Sequence, residues 1–385
     1  MSISLSIIIP TKNRYETLFP LIEYLETLDT KEVEVVVQDN SKDNSKAINF
    51  LNKNKLSNVK YYYEPSDLSV IGNSDLAVKN ATGKYICFIG DDDGVMPYIL
   101  DIIHWMDKNN INAVSSFMPN YFWPNLSTSV LDKSKSDGKL LIKSFSYRVI
   151  RKNTENGLLN CLNNGGTTME DLPMFYHGIV KKKILDDIYN TCKTYFPGPS
   201  PDMAVSIAIS LKIKEFIFLD FPLIISGKCI KSTGGKSVLH QHLDSIDNVP
   251  HLPKNTANDW TNKIPKYWTA PTIWAESVVK SLENLKNNEW LEKLNYDYLY
   301  ARLYVFQFSH KEVIFKNFSH VKYSFKFYYL VFKIFLKRVI RFLNHRYVMK
   351  KVTKSDVKDI KVAIKEINNL LDISKIKHSL EITDN

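Results

Sequence analysis

Cysteine is scarce and scattered. Cys87, Cys161, Cys192 and Cys229 form no Cys-x-x-Cys pair, which excludes a zinc ribbon or a thioredoxin-like site and predicts reduced thiols. No 18-residue apolar stretch is free of charge, so no membrane-spanning helix is expected. The opening run Met1 to Pro10 has neither the basic start nor the apolar length of a secretory leader, and a cytoplasmic chain is the expectation. No internal repeat is present. A glycine-rich phosphate loop is also missing: Pro10-Thr-Lys-Asn-Arg14 contains no glycine, and Gly235-Lys-Ser237 has Ile230 where a Walker pattern needs glycine.

Folded globular character is clear from 44% hydrophobic and 24% charged residues, and 385 residues allow two or three cores. The net charge of +10 is unevenly placed. Between Lys311 and Ser355 stand 12 Lys and Arg against one acid, Glu312, while the remainder is almost balanced. One segment therefore carries the basic character. Within it, Lys322, Lys326, Lys333, Lys337 and Arg341 recur on one helical stripe, flanked by Phe325, Tyr328, Tyr329, Phe332, Phe335, Leu336 and Phe342. Cations beside a wide aromatic face describe a helix lying in a membrane interface and drawn to anionic lipid. An internal helix with solvent-reaching lysines is the plainer alternative. Nothing in the segment resembles a module that reads or stacks on bases, so no nucleic-acid partner is expected.

Short β-branched apolar runs at residues 5–9, 33–37, 59–63 and 84–89 predict buried strands. Leu18, Leu21, Ile22, Leu25 and Leu28 predict a helix between the first two, and a polar helix is expected around residues 45–53. Such βαβ alternation implies an open, mostly parallel α/β sheet, with ligands at the carboxyl ends of its strands. A strand leading into a helix is expected over 175–185, an apolar helix over 202–211 and one or two strands over 215–225. Residues 120–168, rich in Ser, Asn and Lys, are less legible and are expected to contain a long loop over the site. After about residue 255 the pattern turns helical.

Phe88-Ile-Gly-Asp91-Asp92-Asp93-Gly94 sets three carboxylates directly after a buried strand. Adjacent carboxylates repel unless a cation or a set of donors neutralises them. Hard oxygen ligands suit Mg²⁺ or Mn²⁺, which would bridge a nucleotide's phosphates; a solvated acidic turn is the alternative.

Three ordered motifs, Ser6-Ile-Ile-Ile-Pro-Thr-Lys-Asn-Arg-Tyr-Glu-Thr-Leu18, Val35-Val-Val-Gln-Asp39-Asn-Ser-Lys-Asp43 and Ala81-Thr-Gly-Lys-Tyr-Ile-Cys-Phe-Ile-Gly-Asp-Asp-Asp93, together resemble glycosyltransferase family 2, inverting enzymes of the GT-A fold. The resemblance runs over roughly residues 5–230. It implies a Rossmann-like, mostly parallel central sheet flanked by helices over residues 1–250, with 251–385 left as a helical C-terminal extension. It further implies a nucleotide-diphosphate sugar donor, a uridine nucleotide by default, held by Pro10, Thr11, Asn13, Arg14, Asp39, Asn73, Asp91 and Lys236. Mn²⁺ or Mg²⁺ would be held by Asp91, Asp92 and Asp93 with His240 or His242. The commoner family pattern is Asp-x-Asp-Asp, and aligning it places Gly90 where its first Asp belongs, which leaves the choice of ligand among the three carboxylates open.

Inversion needs a base on the face opposite the leaving nucleotide. By resemblance Asp202, in Pro199-Ser-Pro-Asp202, fills that role, with Glu170 and Asp171 as the other acids; a helix-start carboxylate meeting the helix dipole is the alternative. Lys228, Lys231 and Lys236 lie in a basic loop that would offset charge on the departing diphosphate. The implied acceptor is a saccharide or lipid-linked saccharide in surface polysaccharide synthesis, reached from the inner membrane face. A sugar-nucleotidyltransferase and an inactive membrane-tethered scaffold of the same fold are the other classes.

Overall fold

The structure is a computed structural model that describes residues 3–124, 137–232, 245–249, 251–316, 324–344, 347 and 351–382. The expected N-terminal strands are all present: β1 (Leu5–Thr11), β2 (Val33–Asp39), β3 (Val59–Tyr63) and β4 (Tyr85–Phe88). After them come β5 (Gly94–Val95), β6 (Ala113–Phe117), β7 (Asn120–Phe122), β8 (Lys139–Lys143) and β9 (Val149–Asn153). The chain then adds β10 (Gly178–Lys181), β11 (Glu215–Pro222), β12 (Ile224–Lys228) and, near its end, β13 (Lys351–Lys354).

Eight strands form the central sheet in the order β3-β2-β1-β4-β10-β6-β11-β9. β3, β2, β1 and β4 run parallel, β10 is antiparallel to both its neighbours, β11 is parallel to β6, and β9 is an antiparallel edge. Successive side chains of β1 leave the sheet on opposite faces. Ile7 and Ile9 accordingly join a core with the helices Tyr15–Leu25, Ile99–Lys108 and Ile360–Leu370, while Ile8 joins one with Ala77, Leu185 and Val205. Burial on both faces explains why these strands are continuous apolar runs. The fold is the expected mixed α/β class, a mostly parallel sheet flanked by helices with a helical C-terminal region.

One reading needs correction. The periodic run through Leu28 ends as a helix at Leu25; Thr27 Oγ1 donates to the Tyr24 carbonyl and the Leu28 amide to the Leu25 carbonyl, tightening the last turn, and Leu28 stays buried beyond it. Residues 120–168, expected to contain a long loop, also hold regular elements where they are described. They supply β7, β8, β9 and the helix Thr154–Asn163, which Asn153 caps by accepting from the Asn156 amide. Their pairings are mostly with distant strands and their faces only half buried, so the local pattern is weak.

A second sheet, in the order β13-β8-β7-β12-β5, packs beside the site. β13 comes from the C-terminal segment, and the helix Ile360–Leu370 lies against Tyr15–Leu25 and β5. Lys361 is 2.6 Å from Glu23, and Trp105 Nε1 donates to the Leu380 carbonyl at 3.2 Å. Among the described residues no helix is long and apolar enough to cross a membrane.

Candidate functional site

A cavity of about 730 Å³ opens at the carboxyl ends of β1 and β4, lined by Pro10, Arg14, Gly90, Asp92, Tyr176, His177, Asp202 and Lys228 among others. The register explains part of this. Leu5 to Ile8 pair with Tyr85 to Phe88, so both chains leave the sheet together and deliver Pro10 and Gly90 to one edge.

The acid turn is held by backbone and by one cation. Asp91 is fully buried; its Oδ2 accepts from Thr11 Oγ1 at 2.5 Å and lies 2.9 Å from Arg14 Nε. Arg14 Nη1 is 3.8 Å from Asp92 Oδ1. β12 grips the turn from the side: the Cys229 amide donates to Asp92 Oδ2 at 3.0 Å and the Gly227 amide to Asp93 Oδ1 at 2.8 Å. A Cβ on Gly227 would fall 1.6 Å from the Asp92 carbonyl oxygen, so only glycine permits this approach. Asp93 Oδ2 accepts from the Gly90 amide at 2.7 Å and from Tyr176 Oη at 3.3 Å, and lies 2.7 Å from His177 Nε2.

Burial pushes the Asp91 carboxyl up to about 7, against the pull of Arg14 and with the push of Asp92. Asp92 shifts up for the same leading reason. Burial alone would lower the Arg14 pKa, but the charges of Asp91 and Asp92 outweigh it and raise it. Lys228 shifts down through burial and through Lys143.

Of the other expected nucleotide residues, Asp39 is buried beside the cavity rather than in its wall. It accepts from Tyr15 Oη and Tyr61 Oη at 2.6 Å each and from the Ser41 amide at 2.8 Å. Asn13 takes a left-handed φ of +59° and its amide donates to Ser41 Oγ. Asn73 Nδ2 donates to the carbonyls of Thr11 and Gln38, tying the ends of β1 and β2. Lys231 reaches Glu16 at 3.4 Å. Lys236, His240 and His242 lie outside the described residues.

Asp202 stands in the first turn of the helix Pro201–Ser210 and lines the cavity. Its Oδ1 accepts from the Met203 amide at 2.8 Å and from Ser200 Oγ. Neither Glu170 nor Asp171 is among the lining residues; Asp171 is held by Lys152 at 2.9 Å and by Asn160 Nδ2 at 2.8 Å.

Among the described residues no three His, Cys, Asp or Glu side chains converge as a metal group. The carboxylates that could hold a hard divalent cation are Asp91 and Asp92, with Arg14 already against both. Asp91 Oδ1 is a buried oxygen without a hydrogen-bond partner, and Asp92 lines the cavity where phosphate oxygens and water would complete the coordination.

Sequence reasoning missed His177, which reaches the cavity from the turn before β10 with a left-handed φ of +65°. It also missed the opposite wall, where Leu252, Trp268, Ile273, Trp274 and Phe306 present an apolar, aromatic surface. Only a Gly after the His, whose Cβ would collide with the Met174 carbonyl, hinted at the first.

Residues 6–167 match the family model described as glycosyl transferase family 2. The chain is 30% identical over 108 residues to the GalNAc(5)-diNAcBac-PP-undecaprenol beta-1,3-glucosyltransferase of Campylobacter jejuni. That match covers 28% of this chain and 34% of the relative, so the chain spans about a third of that relative's length. Among solved structures, S. aureus TarS 1-349 in complex with UDP-GlcNAc is 17% identical, with 84% of this chain and 92% of that chain covered and a TM-score of 0.49. The same TarS segment in complex with UDP is 16% identical over 84% and 91%, with a TM-score of 0.46.

Proposed function

We propose that this chain is an inverting glycosyltransferase, moving a sugar from a nucleotide-diphosphate donor to a saccharide or lipid-linked saccharide in surface polysaccharide synthesis. The observation that carries the reading is the meeting of Pro10, Arg14, Asp92 and Asp202, drawn from separate motifs, in one cavity. The lipid-linked acceptor draws on the Campylobacter relative, whose name specifies a PP-undecaprenol substrate. The uridine nucleotide rests on the family resemblance.

In the proposed reaction the acceptor hydroxyl oxygen bonds to the anomeric carbon as the bond from that carbon to the diphosphate breaks. Asp202 takes the hydroxyl proton. Arg14 and Lys228, both on the cavity wall, would offset charge on the departing anion. Mn²⁺ or Mg²⁺, when bound by Asp91 and Asp92, supplies further positive charge to the diphosphate. Asp93, with its oxygens committed to protein donors, shapes the turn instead.

The test is a panel of nucleotide sugars, with and without Mn²⁺, read by thermal shift and nucleotide release. A true donor raises the melting temperature and is slowly hydrolysed. No shift and no release across uridine, guanosine, cytidine and thymidine sugars would refute the assignment, and pyrophosphate release with nucleotide-sugar synthesis from a nucleoside triphosphate and a sugar 1-phosphate would make the chain a nucleotidyltransferase.

A further inference from the structure

The helix Phe325–Leu343 is the least protein-like surface of the molecule. One face is ordinary core: Phe327, Leu330 and Ile334 are buried against the helix Tyr296–Phe306. Phe325, Phe332, Leu336, Val339 and Leu343 follow at intervals of seven, four, three and four, and so form a second apolar stripe on the opposite face. That stripe is open to solvent, Phe325 at 89% and Phe332 at 65%. From Phe335 to Asn344 every residue is exposed. A contiguous apolar patch of this extent marks a surface that something else covers.

The charge pattern selects the cover. The helix holds Lys326, Lys333, Lys337, Arg338 and Arg341 and no acid. Lys326, Lys333 and Lys337 fall on one shoulder of the open stripe, at spacings of seven and four. A second copy packing here face to face would set like charges against each other. An anionic bilayer would instead accept the aromatic stripe between its headgroups and neutralise the shoulder.

The helix also adjoins the cavity. Phe306, which lines the cavity, carries the Arg338 guanidinium over its ring at 4.8 Å, and Arg338 Nη1 donates to the Val305 carbonyl at 3.1 Å. We infer that Phe325–Leu343 is an interfacial helix that docks the protein on an anionic lipid surface and brings the Phe306 side of the cavity next to it. The docking stands on this surface alone; only the passage of a lipid-linked acceptor into the cavity rests on the proposed transfer.

The experiment uses the full chain with phosphatidylcholine vesicles with and without phosphatidylglycerol, at low and high salt. Binding to anionic vesicles is expected, weakening with salt. Lys333→Glu with Lys337→Glu should weaken it by at least about 30-fold, and Phe332→Ser with Phe335→Ser should weaken it at every salt concentration. These side chains are exposed, so thermal melting should stay unchanged. Equal binding by all three proteins, or none by the wild type, overturns the inference. So does a dimer in sedimentation velocity that the serine variant dissociates, because a second copy then covers the face. Transfer to a water-soluble acceptor should be the same in all three. If no transfer occurs while vesicle binding persists, the catalytic reading fails and the docking stands.

Discussion

Arg14 Nε lies 2.9 Å from Asp91 Oδ2, a guanidinium from the end of the first strand-turn set against the first carboxylate of the acid turn. The contact joins two motifs separated by almost eighty residues, with Asp91 fully buried and the Arg14 side chain 21% exposed. Removing one partner of a buried ion pair strands the other. Arg14→Met should therefore destabilise the fold by about 3–5 kcal/mol, and adding Asp91→Asn should recover part of that loss. Urea unfolding of the single and double variants measures the coupling; additive losses would mean that the two groups do not interact.

Asp202→Asn keeps the shape and removes the proton acceptor. Turnover is expected to fall by roughly 10² to 10⁴-fold while donor affinity changes little, because Pro10, Arg14 and Asp92 hold the nucleotide side. Steady-state kinetics with titration calorimetry checks both. Parallel loss of binding and turnover would assign Asp202 to the helix start alone.

The neighbouring carboxylates should separate by readout. Asp92→Asn is expected to reduce transfer on the order of 10³-fold, beyond any loss of melting temperature from its contacts with Cys229 and Arg14, and chelation should mimic the loss of transfer. Asp93→Asn should lower the melting temperature first, since its oxygens hold the Gly90 and Gly227 amides and contact His177. Unchanged activity of the Asp92 variant, or indifference to chelator, would exclude the proposed metal pair.

Glu276 gives a pH-dependent signal remote from the carboxylate cluster. It is buried, its Oε1 accepts from the Thr261 amide at 3.0 Å, and burial raises its carboxyl to about 7. Below the ordinary glutamate range both folded and unfolded forms hold the proton. As pH rises toward 7 the unfolded chain releases it while the folded chain keeps it, so stability falls across this window, by up to about 1.4 kcal/mol per pH unit. Glu276→Gln should flatten that slope. Urea unfolding between pH 4.5 and 7 checks it, and identical slopes in the two proteins would show that Glu276 titrates normally.

The first half of the sheet was legible because β1, β2 and β4 are apolar on both faces and their patterns are local. Their carboxyl ends carry Pro10–Arg14 and Asp91–Asp93, so that side of the cavity could be read as well. His177 could not: it reaches the cavity because β10 inserts antiparallel between β4 and β6, a pairing between distant segments. The aromatic wall was hidden for a similar reason. Trp268, Trp274 and Phe306 meet only after helices near both ends of the segment have packed, and each alone looks like core. Asp39 was found as a strand-end acid, but its neighbours Tyr15 and Tyr61, which occupy its oxygens, come from a different helix and strand.

The chain's last described helices are not a tail. Gly94, closing the acid turn, sits so near Ile360 that a Cβ there would fall 2.8 Å from its Cγ1, and β13 is stitched to β8 just before that helix begins. The cationic aromatic helix is thus followed in the chain by two attachments to the first half of the fold, β13 on β8 and Ile360 against Gly94. A bilayer pulling on it would be resisted by those attachments and by the buried face packed on Tyr296–Phe306. A shortened version cut ahead of Phe325 to shed the greasy surface would also take away the brace behind Asp91, Asp92 and Asp93.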